Sequence, residues 1–311
     1  MKVLLFFLFA IGILSPGGLL YAEDAPRGIT VSPVFQDITL DPQSAQKDFF
    51  VSVTNTMEEA VTLRITVFDF GSLDESGGVA FLGASNDLEK KYALASWIRP
   101  EKDVFMIEPN ETKQILVTIE NREALSPGGH YGALTFKTEY SVVGDRQGGN
   151  TLSVNQLFST LVFVKKVGGE IYDLKLSGQE YKGGLMKFQD TVRLRFRNNG
   201  NTHVVPRGMA VVSDSFGRKV AKGIINQESG LILPETFRVY PVHLNPLAMS
   251  FIPGRYTMDI AYRYDGKDDF TTTTFSFYHI PWPAWLASIL LIALLWAAHR
   301  VYRNTYGTRN A

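Results

Sequence analysis

The sequence predicts an all-β protein made of two tandem, related β-sandwiches followed by one C-terminal transmembrane helix. Three observations lead to this prediction. Apolar and polar residues alternate with a period of two through most of the chain. Turn residues separate the alternating runs at short intervals. Near the C-terminus, one apolar segment without charges is almost long enough to cross the hydrocarbon core of a bilayer.

The alternating runs predict antiparallel strands that each bury one face. In the segment Val61–Phe68, valine, leucine and isoleucine alternate with threonine and arginine. In Val192–Arg197, each apolar residue is followed by an arginine. This pattern is typical of strands with one side in a core and the other in water. Many short strands with regular turn signals favour β-sandwiches.

The same order of motifs occurs twice along the chain. In each copy, a strand ends at an asparagine turn, a proline-led strand follows, and a strand opened by Pro-Gly and containing tyrosine comes last. The residues at these positions are Asn55, Pro109, Pro127, Gly128 and Tyr131, and then Asn198, Gly200, Pro234, Pro253, Gly254 and Tyr256. We interpret the duplication as two related sandwiches, at residues 23–167 and 168–279. The first carries an insertion at about 71–99.

Residues 1–22 have the layout of a cleavable signal peptide. Lys2 precedes the apolar run Val3–Leu14, and small residues then lead to a predicted cleavage site after Ala22. The alternative is an uncleaved N-terminal anchor, for which an apolar run of about 12 residues is short.

The segment Trp282–Ala298 predicts a transmembrane helix at residues 282–299, about 25 Å long over its uncharged part. The residues expected at the membrane interface are Trp282, Trp285, Trp296, Arg300 and Arg303. The tail at 300–311 is basic, so the positive-inside rule places it in the cytoplasm. Together, the two ends predict a single-pass type I protein of the plasma membrane whose ectodomain is extracytoplasmic.

Composition argues against several classes of function. The 31 basic and 31 acidic residues balance, which argues against a nucleic-acid binder. The chain contains 0 cysteines, which excludes disulfides, a cysteine-linked lipid anchor and a cysteine nucleophile.

No residue pattern predicts a catalytic, cofactor or metal site. The histidines lack the spacing of a metal site, and no nucleophile elbow, phosphate-binding loop or dinucleotide fingerprint occurs. Leu233–Thr236 resembles a sortase signal, but it lacks the glycine and lies far from the predicted helix, so we interpret it as a strand entry. Asp265, Asp268 and Asp269 flank Gly266, and a hairpin turn explains them better than a calcium loop. We therefore predict a protein that is not an enzyme.

Two segments are candidate recognition surfaces. The polar, glycine-rich segment 144–150 predicts a hairpin tip, and the insertion at about 71–99 adds a second exposed region. The run Leu157–Val164 is apolar on both faces, which predicts a central strand and not an exposed edge.

Several spread-out motifs resemble bacterial surface proteins of the WxL-interacting type (the DUF916 group). The matching segments are Ile29–Pro33, Leu40–Pro42, Val51–Asn55, Trp97–Pro100, Ile107–Pro109, Pro127–Tyr131, Asn198–Asn201, Gly208, Pro234 and Pro253–Tyr256. The chain has Pro42-Gln43 where that family usually has Pro-Gly. The resemblance implies two immunoglobulin-like domains, the first similar to pilus-chaperone sandwiches. It also implies binding of surface proteins or peptidoglycan, without catalysis.

The leading hypothesis is a membrane-anchored envelope protein that binds a surface protein or cell-wall glycan through strand edges or loops. An alternative of a different class is a chaperone-like assembly factor for exported surface subunits. A remote alternative is an envelope hydrolase.

Overall fold

The computed structural model describes residues 28–82, 91–123, 125–139, 157–249 and 251–306. The predicted signal peptide, with its cleavage after Ala22, and the predicted hairpin tip at 144–150 lie outside these residues. Both therefore stay predictions. The described chain is mainly β-structure before a single long C-terminal helix.

The strands before residue 167 form a first sandwich of two sheets. They are β1 (Ile29–Ser32), β2 (Phe35–Leu40), β3 (Gln46–Asn55), β4 (Val61–Ser72), β5 (Val79–Leu82), β6 (Ile98–Pro100), β7 (Val104–Ile107), β8 (Thr112–Glu120), β9 (Gly128–Glu139) and β10 (Leu157–Lys166). One sheet has the order β1-β3-β8-β6. The other, which we call the β10 sheet, has the order β2-β10-β9-β4-β5, with β7 also paired to β4. A short 3-10 helix, Ala95–Trp97, precedes β6.

The later strands form a second sandwich. They are β11 (Leu174–Glu180), β12 (Thr191–Asn198), β13 (Arg207–Ser213), β14 (Lys219–Ile225), β15 (Phe237–His243), β16 (Asn245–Pro246), β17 (Gly254–Tyr264) and β18 (Lys267–His279). Their sheets have the orders β11-β12-β15 and β16-β14-β13-β17-β18. All the strand pairs of the two sandwiches are antiparallel except β2 with β10, among the residues described.

Each sandwich has its own apolar core. Leu63, Val117 and Phe136 are fully buried in the first, and Phe196 and Val212 are fully buried in the second. The alternation read in the sequence sets this arrangement, because every second side chain of a strand faces the same layer. The predicted fold class is confirmed: two tandem immunoglobulin-like sandwiches are followed by one apolar helix. The boundary at residues 167 and 168 stays a prediction.

The asparagine turns of the two sandwiches make the same set of hydrogen bonds. The Asn55 side-chain amide donates to the carbonyl oxygen of Glu59 at 2.7 Å, and its Oδ1 accepts from the Met57 N–H at 2.9 Å. The Asn198 amide donates to the Thr202 carbonyl at 2.8 Å, and its Oδ1 accepts from the Gly200 N–H at 2.9 Å. Each amide also reaches the chain just before the proline-led strand, at the carbonyls of Ile107 and Ile232 respectively.

The other repeated positions match in conformation as well. Asn110 and Glu235, each directly after a proline, have φ of 59° and 60°. The glycines of the two Pro-Gly turns, Gly128 and Gly254, also have positive φ, where a side chain would be strained. These glycines open β9 and β17, and the tyrosine of each strand, Tyr131 or Tyr256, is fully buried.

The C-terminal helix α1 (Trp282–Tyr306) begins three residues after β18 ends at His279. Its stretch Trp282–Arg303 has 22 residues, none of them buried, so by length and composition it can cross a membrane. The helix extends past the predicted end at residue 299. Trp282, Trp285 and Trp296 are all exposed, and the guanidinium of Arg300 lies 5.4 Å from the Trp296 ring centre. Arg303 lies in the last turn.

Candidate binding surface and inter-domain junction

The first half of β10 is an open strand edge. On one side, β10 pairs with β9 along its whole length. On the other side, β2 pairs only with Leu161–Lys166. No described strand pairs with that side of Leu157–Thr160. Among the described strands, the sequence-based prediction of a central strand therefore holds for the second half of β10 and not for the first.

The backbone groups on this edge point outward. The Leu161 N–H donates to the Val34 carbonyl at 2.9 Å, so residue 161 directs its backbone groups towards β2. Because these directions alternate along a strand, Ser159 and Leu157 direct theirs to the same side, where β2 does not reach. The Thr160 hydroxyl donates to the Pro33 carbonyl at 2.8 Å, at the point where β2 diverges from β10. Within the part of the chain that the structure describes, the open edge therefore offers main-chain donors and acceptors without a strand partner at residues 157 and 159.

An apolar row crosses the outer face of the β10 sheet beside this edge. The strand register aligns Phe35 with Leu161, Leu161 with Ala133, and Ala133 with Phe68. Phe35 is 63% exposed, and Leu157, four residues before Leu161 and on the same face of β10, is 59% exposed. Phe68 is also exposed and its ring centre lies 6.2 Å from that of exposed Phe81. We call Phe35, Phe68, Phe81, Leu157 and Leu161 the apolar face.

The next row of the same sheet is buried against the second sandwich. Tyr131 is its centre, with ring centres of Phe70 and Phe163 each 5.8 Å away. From the second sandwich, His203 places its ring 5.7 Å from Tyr131, and its Nδ1 lies 3.3 Å from the tyrosine hydroxyl. Burial raises the pKa of Tyr131 well above its usual range, so the hydroxyl stays neutral at physiological pH.

Further contacts close the junction around Tyr131. Leu231 and Leu233 of the second sandwich pack on the Tyr131 cluster. The Gly129 N–H donates to the Asn201 carbonyl at 2.8 Å, and a side chain at Gly128 would clash with that same carbonyl. The junction is thus a small apolar core of its own. At its edge, the backbone at Gly128 and Gly129 closely approaches the backbone at Asn201.

The hairpin β4–β5 extends from the first sandwich to the edge of β15. The Val239 N–H donates to the Glu75 carbonyl at 2.7 Å. The Glu75 carboxylate also accepts from Arg195 on β12, with Nε to Oε2 at 2.8 Å. The Arg195 hydrogen bond lowers the pKa of Glu75, although both groups are largely solvent-exposed. This hairpin covers the free edge of the β11-β12-β15 sheet.

The insertion also contacts Leu233–Thr236, the segment that resembles a sortase signal. Lys91 Nζ and the Tyr92 hydroxyl each lie 2.8 Å from Glu235 Oε1. The hydrogen bond from Lys91 lowers the pKa of Glu235. Leu233–Thr236 is therefore a strand entry whose glutamate contacts the first sandwich.

An open cleft of about 800 Å³ lies between the β4–β5 hairpin and the second sandwich. Its lining includes Asp74, Glu75, Arg193, Asn226, Glu228, Arg238, Tyr240 and His243. The lining has charges of both signs. Glu75 already accepts from Arg195 of the second sandwich, and Arg238 donates to the Leu231 carbonyl within that sandwich. Within the described segments, no three His, Asp or Glu side chains lie close enough together to hold a metal ion.

The pKa of Asp37, a carboxylate at the junction, is lowered by a histidine of the second sandwich. Asp37 Oδ1 on β2 lies 3.5 Å from His203 Nε2, and this contact is the main cause that lowers the pKa of Asp37 from 3.8. A carboxyl with a lowered folded-state pKa stabilises the fold above its unfolded pKa and loses that contribution as the pH falls through the folded value.

We therefore expect Asp37→Asn to reduce the dependence of the free energy of unfolding on pH below about pH 4. The free energy of unfolding of the variant should fall less steeply with acid than that of the parent chain. Urea unfolding across this pH window measures the slope, and Asp268→Asn, on an exposed strand end, is the control. Equal acid slopes for Asp37→Asn and the parent would contradict this account.

The predicted turn residues fall in three places in the fold. Pro127, Gly128 and Tyr131 lie at the junction, near Pro234 and the backbone around Gly200. Asn55, Pro109 and Asn198 lie at turns within their own sandwiches. Pro253, Gly254 and Tyr256 lie at the end of the second sandwich from which α1 emerges. Among the other candidates, Asp265 accepts from the Val205 N–H at 2.9 Å and pairs with Arg207, as a structural turn.

Sequence reasoning did not find the apolar face. Phe35, Phe68 and Phe81 come from three separate strands, and only the sheet register brings them together. The one local signal was the two-sided apolar character of the run that begins at Leu157.

Comparisons with known proteins give likeness in fold only. No family model matches the chain, and no curated protein matches it. A solved structure of a chaperone–tip adhesin complex in CFA/I fimbriae biogenesis has 11% identity and a TM-score of 0.45, covering 80% of this chain and 98% of that one. The class 5 fimbriae chaperone CfaA has 11% identity, a TM-score of 0.41, and 82% and 100% coverage. The E. coli chaperone DraB has 12% identity, a TM-score of 0.37, and 81% and 97% coverage. At these scores the likeness assigns no function to this chain.

Proposed function

We propose that this chain is a non-enzymatic, membrane-anchored envelope protein that captures an extended segment of another exported protein, as an assembly chaperone does. The observation that carries the proposal is the open edge of β10 at Leu157–Thr160 beside the apolar face. A strand edge with unpaired backbone groups is a template for a further strand. Exposed Phe35 next to that edge, and exposed Leu157 within it, supply apolar contacts for the side chains of such a strand.

The geometry defines how a partner would bind. A strand that continues the line of β2 meets the outward backbone groups of Leu157 and Ser159, and main-chain hydrogen bonds provide affinity. Because side chains alternate along a strand, every second partner residue faces the apolar side of the sheet near Phe35. The site therefore selects extended segments that alternate apolar and polar residues.

The anchor keeps this site at the membrane. We propose that α1 spans the plasma membrane, that the sandwiches lie on the extracytoplasmic side and that the basic tail with Arg300 and Arg303 is cytoplasmic. Anchoring suits a factor that receives subunits as they leave the membrane. A permanent tether to a surface protein or to wall glycan is the alternative that the same architecture allows.

The proposal is tested by closing the open edge without disturbing the sheet. Proline at position 159 removes an outward N–H, and such edge positions tolerate proline. We expect Ser159→Pro to weaken binding of alternating apolar–polar peptides to the full chain in nanodiscs by about tenfold or more. Ser159→Ala keeps the N–H and should bind as the parent does. Calorimetry measures the affinity of the peptide for each variant. In the parent chain, hydrogen exchange should show that the bound peptide protects the N–H groups of residues 157 and 159.

Two outcomes oppose the proposal. Peptides that bind Ser159→Pro as tightly as Ser159→Ala do not use this edge. If no peptide binds while purified cell-wall sacculi retain the protein saturably, the chain is a glycan tether. Peptides of the same composition with their apolar residues clustered serve as the specificity control.

A further inference from the structure

The end of the second sandwich nearest α1 carries an unusual set of exposed apolar side chains. They are Leu185, Met186, Phe216, Leu247, Met249 and Phe251, each 51–80% exposed. Phe216 is the most exposed, at the tip of the β13–β14 turn. Apolar residues scattered singly over a surface are ordinary, but a group of large ones in neighbouring loops marks an interaction surface.

Contacts show that these loops lie together. Arg218 donates to the Met249 carbonyl at 3.4 Å, which joins the Phe216 turn to the segment that follows β16. The Ser215 hydroxyl donates to the Arg255 carbonyl at 3.1 Å, at the start of β17. The N-terminal end of β17 pairs with the C-terminal end of β18, since Gly254 lies opposite His279.

The loop between β11 and β12 joins the same end. The Ile280 N–H donates to the Leu185 carbonyl at 2.6 Å, and His279 Nδ1 lies 3.3 Å from the Gly184 carbonyl oxygen. Beneath this loop, Tyr181 and Phe277 pack with ring centres 4.5 Å apart. This aromatic packing holds Leu185 and Met186 beside the entry to α1.

The short connection between β18 and α1 limits how far this end of the second sandwich can lie from the bilayer. Only Ile280 and Pro281 separate His279 from Trp282, so the sandwich end lies within about 10 Å of the start of α1. The polar interface on each side of a bilayer is roughly 5–8 Å thick. Loops at this end therefore reach the interface, where exposed Trp282 also favours the headgroup level. Lys187 and Arg255 are exposed at the same end, which suits anionic headgroups.

We propose that these loops form a membrane foot: they insert their apolar side chains into the bilayer interface and so fix the orientation of the sandwiches on the membrane. The occupant of this surface is the lipid interface of the bilayer that α1 crosses. The inference rests on the membrane anchoring in the proposed function. Without the foot, a single helix and a two-residue joint would leave the sandwiches free to tilt.

The chain has 0 cysteines, so single-cysteine variants report on one position each. Full-length Phe216→Cys, Met249→Cys and Met186→Cys, carrying an environment-sensitive fluorophore, are placed in vesicles of phosphatidylcholine and phosphatidylglycerol. A doxyl-labelled lipid with its nitroxide near the headgroup should quench all three several-fold more strongly than it quenches Asp268→Cys. Position 268 lies at the other end of β18, about 35 Å away along the strand.

Leu291→Cys, in the middle of α1 and about 14 Å along the helix from Trp282, tests the anchor separately from the foot. Its lipid quencher carries the nitroxide deep in the acyl chain. Lipid quenching at position 291 with only aqueous iodide quenching at position 216 would overturn the foot and leave the anchor intact. No lipid quenching at position 291 would overturn the anchor and the foot together. Lipid quenching at both positions, with position 268 reached only by iodide, supports both.

Discussion

Replacing Asn198 by alanine should lower the stability of the second sandwich by about 3 kcal/mol. The Asn198 side chain is fully buried and donates to the carbonyls of Thr202 and Ile232 at 2.8 and 3.0 Å. It also accepts from the Gly200 N–H. Alanine leaves the buried Thr202 carbonyl and the buried Gly200 N–H without this partner, while the Ile232 carbonyl keeps its bond from the Val204 N–H. Such unsatisfied groups cost more than the bond itself was worth.

The next residue provides a matched control. Asn199 is exposed, and its amide reaches only the Asp173 carboxylate, at 3.3 Å. Asn199→Ala should change stability by less than about 0.5 kcal/mol. Hydrogen exchange of β12 and β15 in mild urea measures the local unfolding free energy in both variants. If the two substitutions have equal effects, the buried hydrogen-bond set does not hold this turn.

The Asn198 turn illustrates what the sequence can predict. The asparagine, the following glycine and the Pro-led strand are local signals, and they recur in order in both sandwiches. Turn residues and period-two alternation are patterns of a few neighbouring residues, so they can be recognised in the sequence without the structure. The fold class followed from these signals. In both turns the asparagine amide donates to the carbonyl four residues later, which agrees with two copies of one structural unit.

The candidate site depends on relations that alternation does not encode. Whether the edge of β10 is open is decided by where β2 begins to pair, at Phe35 opposite Leu161. Both halves of β10 have an apolar sequence, so the pattern alone predicts the same environment for each. Similarly, Glu75 and Arg195 are 120 residues apart. Neither residue type nor spacing indicates that the insertion covers the edge of β15.

The junction raises the question of what holds the two sandwiches in one arrangement. Ion pairs such as Glu75 with Arg195 are largely exposed and contribute little. The Tyr131 cluster is different, because it is buried and combines rings from both sandwiches. We therefore expect rigidity to depend on Tyr131 far more than on the surface pairs.

Tyr131→Ala should destabilise the first sandwich by about 3–5 kcal/mol and loosen the junction. Alanine removes a fully buried ring that contacts Phe70, Phe163 and His203. Tyr131→Phe keeps the ring but leaves the buried His203 Nδ1 without its 3.3 Å contact, so its cost should be about 1–2 kcal/mol. Spin labels on Leu73→Cys and Glu228→Cys, in the two sandwiches, measure the coupling. Their distance distribution should broaden in Tyr131→Ala and stay narrow in Tyr131→Phe. A narrow distribution in a folded Tyr131→Ala chain would show that the hairpin contacts, and not the aromatic cluster, fix the arrangement in which the open edge of β10 is presented.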